Sequence, residues 1–392
     1  MAPAVKVTQV LAPVKITQPK PGVWLFDLGQ NFAGVPQLRV SGARGTKVVM
    51  RCAEKLNADG TLDASNIDTF VKRRDPSQQF QTDSYILKGQ GREVWQPRFT
   101  YHGFQYVEVT GFPGTPTLDS LRGLVLHSAF ESAGNFSCSD AMLNRIQRNT
   151  LWSYRSNFHG LPTDCPHREK NGWMGDAHLA VEVGLLNFDS AANYHKFLDD
   201  IRDEQEPSGR LPGIIPTGGW GYAWGNGPGW DSAYPIIAWH LYQYRDDRRV
   251  LEKHYAGMRR YVDYVSTRAK DNIVAFGLDD WVAPKTKTPL EVTDTGYYYA
   301  DACIVAQAAQ VLGKADDARK YSALANDIKR AFNAKLLNAE TGQIANGSLT
   351  AQSCALYQGL VEPQDKAKVV ARLVAEVERQ DYHMDVGILG AK

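Results

Sequence analysis

The sequence predicts a multidomain protein, in which an N-terminal β-sandwich is followed by an all-α toroid. The chain has 392 residues, more than a single hydrophobic core usually holds. Short runs rich in Val, Leu and Tyr fill the first third, and apolar residues at helical spacing fill the rest. We therefore expect a sheet domain over residues 1–130 and a helical domain over residues 131–392.

Six short runs carry the strand pattern of the first domain, and clusters of Gly, Ser, Asn and Asp separate them as turns. The stretch from Asn57 to Gln79 has no clear alternation and is expected to be a long loop. The predicted strands are Val23–Asp27, Leu38–Val40, Lys47–Cys52, Ser84–Leu87, Tyr106–Thr110 and Leu121–His127.

Helical periodicity predicts about nine helices in the second domain. Long connectors over residues 160–175, 207–231 and 278–295 concentrate Trp, Gly, Asp and Pro, and connectors of this length are usually functional. Helix hairpins joined by such loops are typical of an α/α toroid. A ring of this kind closes with about twelve helices, so about nine predict a toroid that is incomplete at its C-terminal end. The predicted helices are Met142–Phe158, Ala177–Leu186, Ala191–Asp203, Tyr234–Tyr244, Arg248–Arg268, Tyr297–Leu312, Ala315–Phe332, Thr350–Tyr357 and Pro363–Arg379.

Composition narrows the classes of function. The formal net charge is +1 and no long charged run occurs, so we expect neither a nucleic-acid nor a membrane partner. Five cysteines are scattered singly without a C-x-x-C pair, which argues against a disulfide framework and a structural zinc site. No signal peptide is recognisable, which favours a cytoplasmic location. The sequence does not indicate the oligomeric state.

The sharpest constellation of polar residues lies in the first long connector. Three carboxylates, Asp164, Glu169 and Asp176, fall within thirteen residues, with Arg168 and Trp173 among them. Proline and glycine within this stretch prevent one continuous helix, so the backbone must form a shaped loop. Glycosyl transfer needs such a set: one carboxyl that stays protonated, others that hold hydroxyls, and a flat ring that stacks on a sugar.

Simpler interpretations of the same residues stay open. Asp176 could cap the helix that follows it, and Glu169 could pair with Arg168 on a solvated loop. A metal site could be formed by Cys165, His167, Asp176 and His178, but the spacing matches no standard zinc pattern, so we expect neither a metal nor a cofactor.

Two further clusters place carboxylates beside Trp. Trp220, Trp224, Trp230 and Asp231 lie in a glycine-rich connector, where a backbone without side chains can approach a ligand closely. Asp279, Asp280 and Trp281 form the other cluster. The alternatives are a surface loop whose Trp residues pack inward, and a turn headed by Asp.

The central motif resembles the signature of the family 78 glycoside hydrolases, the bacterial and fungal α-L-rhamnosidases. It reads Asp164-Cys-Pro-x-Arg-Glu-x-x-Gly-Trp-x-Gly-Asp176 in this chain. The segments Phe26–Gly34 and Pro97–Tyr106 are similar to the β-sandwich that precedes the catalytic domain in that family. The resemblance extends along essentially the whole chain.

The resemblance implies an (α/α)6 toroid that hydrolyses terminal α-L-rhamnosyl groups with inversion, so the expected partners are rhamnose-containing glycosides or oligosaccharides. It implies that Glu169 is the catalytic general acid. The substrate-binding residues it implies are Asp164, Arg168, Trp173, Asp176, Trp230, Asp231, Asp280 and Trp281.

The resemblance also implies a general base in a later Trp-Glu motif, beyond the segment that resembles Asp385–Gly390. No such motif follows here, so the chain is expected to stop before the base. Two alternatives to a rhamnosidase remain: a rhamnose-binding fragment without efficient catalysis, and a different (α/α)6 carbohydrate-active enzyme.

Overall fold

The computed structural model describes residues 2–70 and 79–392, and the chain forms two compact units, Met1–Asn171 and Gly172–Lys392. The first unit is rich in strands and the second is helical, which confirms the predicted order of a sheet-rich part followed by a helical part. The domain boundary expected at residues 130 and 131 stays a prediction, because compactness by itself does not identify a domain that folds alone.

The elements of the first unit are β1 (Val5–Leu11), β2 (Lys15–Lys20), β3 (Val23–Val40), β4 (Lys47–Ala53), β5 (Lys55–Leu56), β6 (Leu62–Asp63), α1 (Ser65–Asp68), β7 (Thr82–Ile86), β8 (Glu93–Trp95), β9 (His102–Thr110), β10 (Leu121–Ser128) and α2 (Ala141–Ser156). Most of the strands are joined into an antiparallel sheet with the order β1-β10-β3-β9-β4-β7, and β2 and β8 also pair with β3. Two short strands, β5 and β6, pair with each other.

Two predictions for this unit were wrong, one of a loop and one of two separate strands. The stretch predicted as a loop from Asn57 contains β6 and α1, while residues 71–78 of it lie outside the described residues. The two runs predicted as separate strands at residues 23–27 and 38–40 belong to one long strand, β3. A register shift between Asp27 and Phe32 interrupts the period-2 pattern that would have revealed this continuity.

Strand β3 organises the core of the first unit. Phe26, Leu28 and Phe32 of this strand are buried together with side chains of β4, β9 and β10. Gly34 brings β3 against β10, since a Cβ at this position would lie 1.9 Å from the carbonyl oxygen of Leu124. This close approach requires glycine.

The second unit, every residue of which the structure describes, consists of helices and one short hairpin. The elements are α3 (Met174–Asn187), α4 (Ala191–Glu204), α5 (Pro228–Asp231), α6 (Ala233–Arg245), α7 (Arg248–Arg268), α8 (Leu290–Val311), α9 (Ala315–Leu336), β11 (Leu337–Asn338), β12 (Gln343–Ile344), α10 (Leu349–Tyr357) and α11 (Lys366–Arg379). Helix α8 packs against α6, α7, α9 and α10, and α3 packs against α6. Among the described residues, no helix combines the length and the apolar character that crossing a membrane requires.

The structure contains every predicted helix, and it corrects the start of one. Helix α8 begins at Leu290, seven residues before the predicted start at Tyr297. The first turns contain Val292, Thr293 and Thr295, which have weak helix propensity. All three are fully buried, so tertiary packing outweighs their local preference.

Candidate functional site

The loop that connects the end of α2 to α3 holds Glu169 on a tight turn. The two ends of this turn are tied together, because the Asn171 backbone N–H donates to Asp164 Oδ1 over 2.9 Å and the Asp164 N–H donates to the Asn171 carbonyl over 3.1 Å. Within the turn, the Glu169 N–H donates to Cys165 Sγ over 3.3 Å. Lys170 has a φ of 56°, a left-handed conformation that reverses the chain after Glu169.

Two carboxyl groups and one thiol converge on this turn. One side-chain atom from each of Asp164, Cys165 and Glu169 lies within 4.8 Å of the others. The Glu169 side chain is 36% exposed, and its Oε1 lies 3.5 Å from Arg168 Nε. A carboxyl that is open to solvent on one side and held beside a second carboxyl is an arrangement suited to proton transfer.

The electrostatics of the turn favour protonated forms. Burial raises the pKa of Asp164 to about 6, and the nearby Glu169 charge adds to this rise. Burial, together with the Asp164 charge, raises the pKa of the Cys165 thiol to about 11. The three groups lie close enough together to offer one ligand atom each to a cation, and of the residues considered for a metal site in the sequence only Cys165 is among them.

Residues distant in the sequence support the turn from the side of the sheet. Lys170 Nζ donates to the Tyr101 carbonyl oxygen over 2.6 Å and lies 4.4 Å from the centre of the Tyr101 ring. The Tyr101 ring in turn stacks on His159 at 3.8 Å. On the other side of Glu169, the Arg168 guanidinium lies 4.2 Å from the centre of the Phe70 ring. The sequence analysis did not identify Tyr101 or Phe70, because only the fold brings them to the loop.

Three tryptophans of the second unit form an aromatic cluster: Trp173, just before α3, and Trp220 and Trp224 on the 205–227 connector. The ring of Trp173 meets that of Trp224 edge-on at 5.4 Å, and Trp224 stacks on Trp220 at 5.2 Å. Trp173 is 8% exposed, whereas Trp220 and Trp224 are 52% and 48% exposed. Half-exposed indole rings beside a buried one form a surface that suits the flat face of a sugar.

Asp176 lies near the start of α3, and Trp230 lies in α5. Helix α3 begins at Met174 with Trp173 at its N-cap, so the interpretation of Asp176 as the capping residue was wrong, and Asp176 lies in the first turn. Trp230 is 2% exposed and packs on Gly175, where a Cβ would lie 2.9 Å from the indole ring. The glycine of the motif is therefore required by the position of this ring.

Asp231 and Asp280 are both buried, and their contacts in the structure are with the protein itself. Asp231 Oδ2 accepts from the Gly227 N–H over 2.9 Å. Asp280 accepts from the backbone N–H groups of Gly387, Leu389 and Gly390 at 2.7, 2.9 and 3.1 Å. It therefore anchors the 387–390 segment, and the sugar contacts expected of these two aspartates stay predictions.

The remaining residues of the predicted site differ in exposure. Trp281 directly follows Asp280 and is 51% exposed, so its ring is available to a ligand. His178, one of the residues of the metal interpretation, is buried and its Nε2 lies 2.9 Å from the Gly229 carbonyl oxygen. This hydrogen bond gives the histidine a structural role in holding α3 to α5.

The titration of Asp164 is expected to depend on Glu169. Replacing Glu169 with glutamine removes a neighbouring negative charge, so the Asp164 pKa of about 6 should fall, by roughly one unit or less. Carboxyl ¹³C chemical shifts followed across this pH range would measure the change. The matched control is Glu340→Gln, at an exposed turn outside the cluster. An Asp164 midpoint that is the same in wild type and Glu169→Gln would contradict the interaction.

Comparison with protein families places both parts of the chain. Residues 131–392 match the model of the bacterial α-L-rhamnosidase 6 hairpin glycosidase domain. Residues 17–127 match the model of the bacterial α-L-rhamnosidase concanavalin-like domain.

Individual relatives agree with these matches. The chain is 37% identical over 390 residues to an α-L-rhamnosidase of Streptomyces avermitilis, covering 98% of this chain and 36% of the relative. It is 32% identical over 381 residues to an α-L-rhamnosidase of Formosa agariphila, covering 93% of this chain and 40% of the relative. The chain thus spans well under half the length of these curated relatives.

Solved structures of similar proteins have the same fold. The α-L-rhamnosidase from Dictyoglumus thermophilum superimposes with a TM-score of 0.92 at 40% identity, over 99% of this chain and 44% of that one. The Streptomyces avermitilis α-L-rhamnosidase complexed with L-rhamnose superimposes with a TM-score of 0.92 at 37% identity, over 99% of this chain and 37% of that one.

Proposed function

Because the chain belongs to the bacterial α-L-rhamnosidase family, we propose that it contributes the general acid and the sugar-binding residues of an inverting α-L-rhamnosidase. The observation that carries this proposal is the turn at residues 164–171. It holds the half-exposed Glu169 beside a second carboxyl whose pKa is raised to about 6. Hydrolysis of a glycoside requires a carboxyl that can deliver a proton near neutral pH.

The proposed architecture is a two-layer β-sandwich followed by an (α/α)6 toroid, with the boundary between residues 130 and 131. The change of partners along β3 supports the sandwich: β2 pairs with residues 23–27, β9 with residues 23–27 and 32–34, and β10 and β8 with residues 34–40. The succession of helices α3 to α11, in which short turns such as 246–247 and 312–314 alternate with long loops such as 205–227 and 269–289, supports the toroid. The chain covers part of such a ring.

In the proposed reaction, Glu169 donates its proton to the glycosidic oxygen as the bond from that oxygen to the anomeric carbon breaks. A water molecule attacks the anomeric carbon from the opposite face and gives up one proton to a general base, which inverts the configuration and releases L-rhamnose. In inverting enzymes the acid and the base lie about 6.5–9.5 Å apart, which leaves room for this water. We assign no general base among the residues of this chain.

Asp164 and Arg168 would act on the acid. Asp164 is tied by backbone hydrogen bonds, and one of its side-chain atoms lies within 4.8 Å of one of Glu169, so Asp164 holds the turn that presents the acid. Arg168, at 3.5 Å from Glu169, would stabilise the carboxylate that forms after proton transfer.

The sugar itself would be held by aromatic rings and acidic side chains. Trp281 is half-exposed and offers a ring face, Trp173 is buried and supports the exposed Trp224 ring, and Trp230 holds the position of the motif through Gly175. Asp176 would accept hydrogen bonds from rhamnose hydroxyls. Asp231 and Asp280 would support the pocket from behind, since the structure bonds both to backbone N–H groups.

Binding of L-rhamnose tests this proposal without requiring turnover. We expect calorimetry to detect rhamnose binding to the chain, and Trp173→Ala to weaken it about tenfold, because the Trp173 ring supports the exposed Trp224 ring. Trp239→Ala, in α6 and outside the proposed pocket, is the matched control. Absence of rhamnose binding to the folded chain would contradict the proposal.

The release of nitrophenol from p-nitrophenyl α-L-rhamnoside separates the remaining alternatives. Release of nitrophenol that Glu169→Gln slows, and slows less than it slows hydrolysis of a methyl rhamnoside, would support the enzyme. Rhamnose binding without release would favour the alternative of a catalytically incomplete rhamnose-binding fragment. A different (α/α)6 carbohydrate-active enzyme is not favoured, because the relatives above 25% identity are named as rhamnosidases.

A further inference from the structure

A separate cleft lies within the first unit, between helix α2 and the register shift in the middle of β3. Its volume is about 270 Å³. Helix α2 contributes one face, since its lining residues recur every three or four positions. Pro166 also lines the cleft, but none of its lining residues belongs to the proposed rhamnose-binding set. The lining residues are Gln30, Asn31, Phe32, Glu54, Asn149, Trp152, Ser153, Ser156, Asn157 and Pro166.

The polar groups of this cleft are held in fixed positions. Glu54 Oε1 accepts from Asn31 Nδ2 over 3.0 Å, and Glu54 Oε2 accepts from Asn66 Nδ2 over 3.2 Å. Asn157 Nδ2 donates to the Ser153 carbonyl over 3.1 Å. These bonds fix the side chains before any ligand arrives, which lowers the entropy lost on binding.

One polar atom in the wall of the cleft is unsatisfied. Asn157 Oδ1 is buried and has no hydrogen-bond partner among the described residues. A buried acceptor without a donor is costly, but this atom is closed to solvent, so a ligand in the cleft would reach it only if the Asn157 side chain turned. Asn149 and Ser153 are exposed at the mouth and can donate or accept.

The cleft also has an apolar wall and carries a single charge. Trp152 is half-buried and packs on the core of the sheet, so its ring is rigid. Among the lining residues there is no Lys, Arg or His, and Glu54 is the charged group. Outside the lining, His167 Nε2 lies 3.9 Å from Glu54 Oε2. Burial lowers the pKa of this imidazole, so it is largely uncharged at neutral pH. The carboxylate therefore disfavours anions, whereas amides, hydroxyls and an indole ring suit a neutral hydroxylated ring. The volume is below the roughly 300–1,000 Å³ of pockets for larger ligands, which fits a single sugar ring.

We propose that this cleft is a second carbohydrate-binding site, which takes one neutral sugar ring through Trp152 and the amide and hydroxyl groups of its lining. The sugar comes either from the part of the substrate beyond the terminal rhamnose or from a separate glycan chain. Both sources present the same chemistry. The site does not depend on the proposed hydrolysis, because its residues are distinct from Glu169 and the aromatic cluster.

Saturation-transfer NMR with methyl β-D-glucoside and with glucuronate tests the proposal. We expect the glucoside to bind with a Kd of about 1 mM and glucuronate to bind at least about fivefold more weakly, owing to repulsion by Glu54. Ser153→Trp fills the mouth of the cleft from an exposed helix position and should remove the glucoside signal. Trp152→Ala should weaken binding about tenfold, but Trp152 also packs on the sheet core, so the Ser153 variant is decisive if Trp152→Ala does not fold.

The Trp173→Ala variant separates this site from the proposed rhamnose pocket, and glucoside binding should survive in it. A disaccharide of α-L-rhamnose on glucose identifies the source of the sugar. If one molecule fills both sites, the disaccharide binds more tightly than either monosaccharide and Ser153→Trp removes that gain; with a separate glycan, no gain appears. Glucoside binding that persists unchanged in Ser153→Trp, or no glucoside binding to a wild type that binds rhamnose, overturns the proposal.

Discussion

Replacing Glu169 with glutamine is expected to lower kcat/KM for methyl α-L-rhamnoside by about 10²–10⁴-fold, the usual contribution of a positioned general acid. The amide keeps the shape of the side chain but has no proton to transfer. Methanol is a poor leaving group and needs that proton as its bond to the anomeric carbon breaks. Nitrophenolate is stable as an anion, so the loss for p-nitrophenyl α-L-rhamnoside should be at least about tenfold smaller.

The two substrates together distinguish loss of the acid from loss of binding. A binding defect lowers kcat/KM equally for both, whereas loss of the acid depends on the leaving group. No general base is assigned in this chain, so the assay is run with and without azide. Azide is an anion that replaces water as the nucleophile, and it attacks the anomeric carbon without needing a base. Glu340→Gln is the control, and equal losses for the two substrates in Glu169→Gln would contradict the role of the acid.

The position of Glu169 was predictable from sequence, but its support was not. The motif between Asp164 and Asp176 is contiguous, and its glycines and proline mark a shaped loop whatever the surrounding fold. The groups that hold the turn come from elsewhere: Tyr101 is 69 residues before Lys170, the residue to which its carbonyl bonds. Such contacts depend on tertiary structure, and no local pattern encodes them.

Asp280 also shows that the contacts of a side chain depend on tertiary structure that the sequence does not reveal. In the sequence, an aspartate beside a tryptophan in a long connector looks like a sugar contact. In the structure its carboxylate accepts from backbone N–H groups that lie 107 to 110 residues further along the chain. The sequence does not distinguish an aspartate that contacts a ligand from one that holds a backbone segment in place. Only the hydrogen-bond partners of its carboxylate distinguish the two roles.

Helices were easier to predict than strands, for a physical reason. The apolar spacing of α7 and α9 is local, and both helices lie within a few residues of the predicted bounds. By contrast, β1 pairs with β10, which is more than one hundred residues away, and its side chains are mostly exposed. Strands of that kind carry no strong alternation, and the sequence analysis did not identify β1 or β2.

The largest loss of stability is expected for Gly213→Ala. A Cβ at this position would lie 1.6 Å from the carbonyl oxygen of Gly225 and 2.3 Å from its carbon, and neither backbone atom can rotate away. The same residue accepts the Met174 N–H over 2.9 Å, and its neighbour Ile214 forms a bridge with Trp173. Separating the two backbone segments would therefore displace the Trp173 ring as well. We expect the free energy of unfolding to fall by at least about 3 kcal/mol.

A glycine in the same connector provides the control for Gly213→Ala. Gly218 has a φ of 56°, and a Cβ there would meet only the Pro216 carbonyl oxygen at 3.9 Å. Gly218→Ala should therefore cost about 1 kcal/mol, from backbone strain alone. Urea unfolding followed by tryptophan fluorescence measures both variants, and rhamnose binding should weaken in Gly213→Ala while it survives in Gly218→Ala. Equal losses of stability would mean that the contact between residues 213 and 225 is looser than described, and that the position of Trp173 does not depend on it.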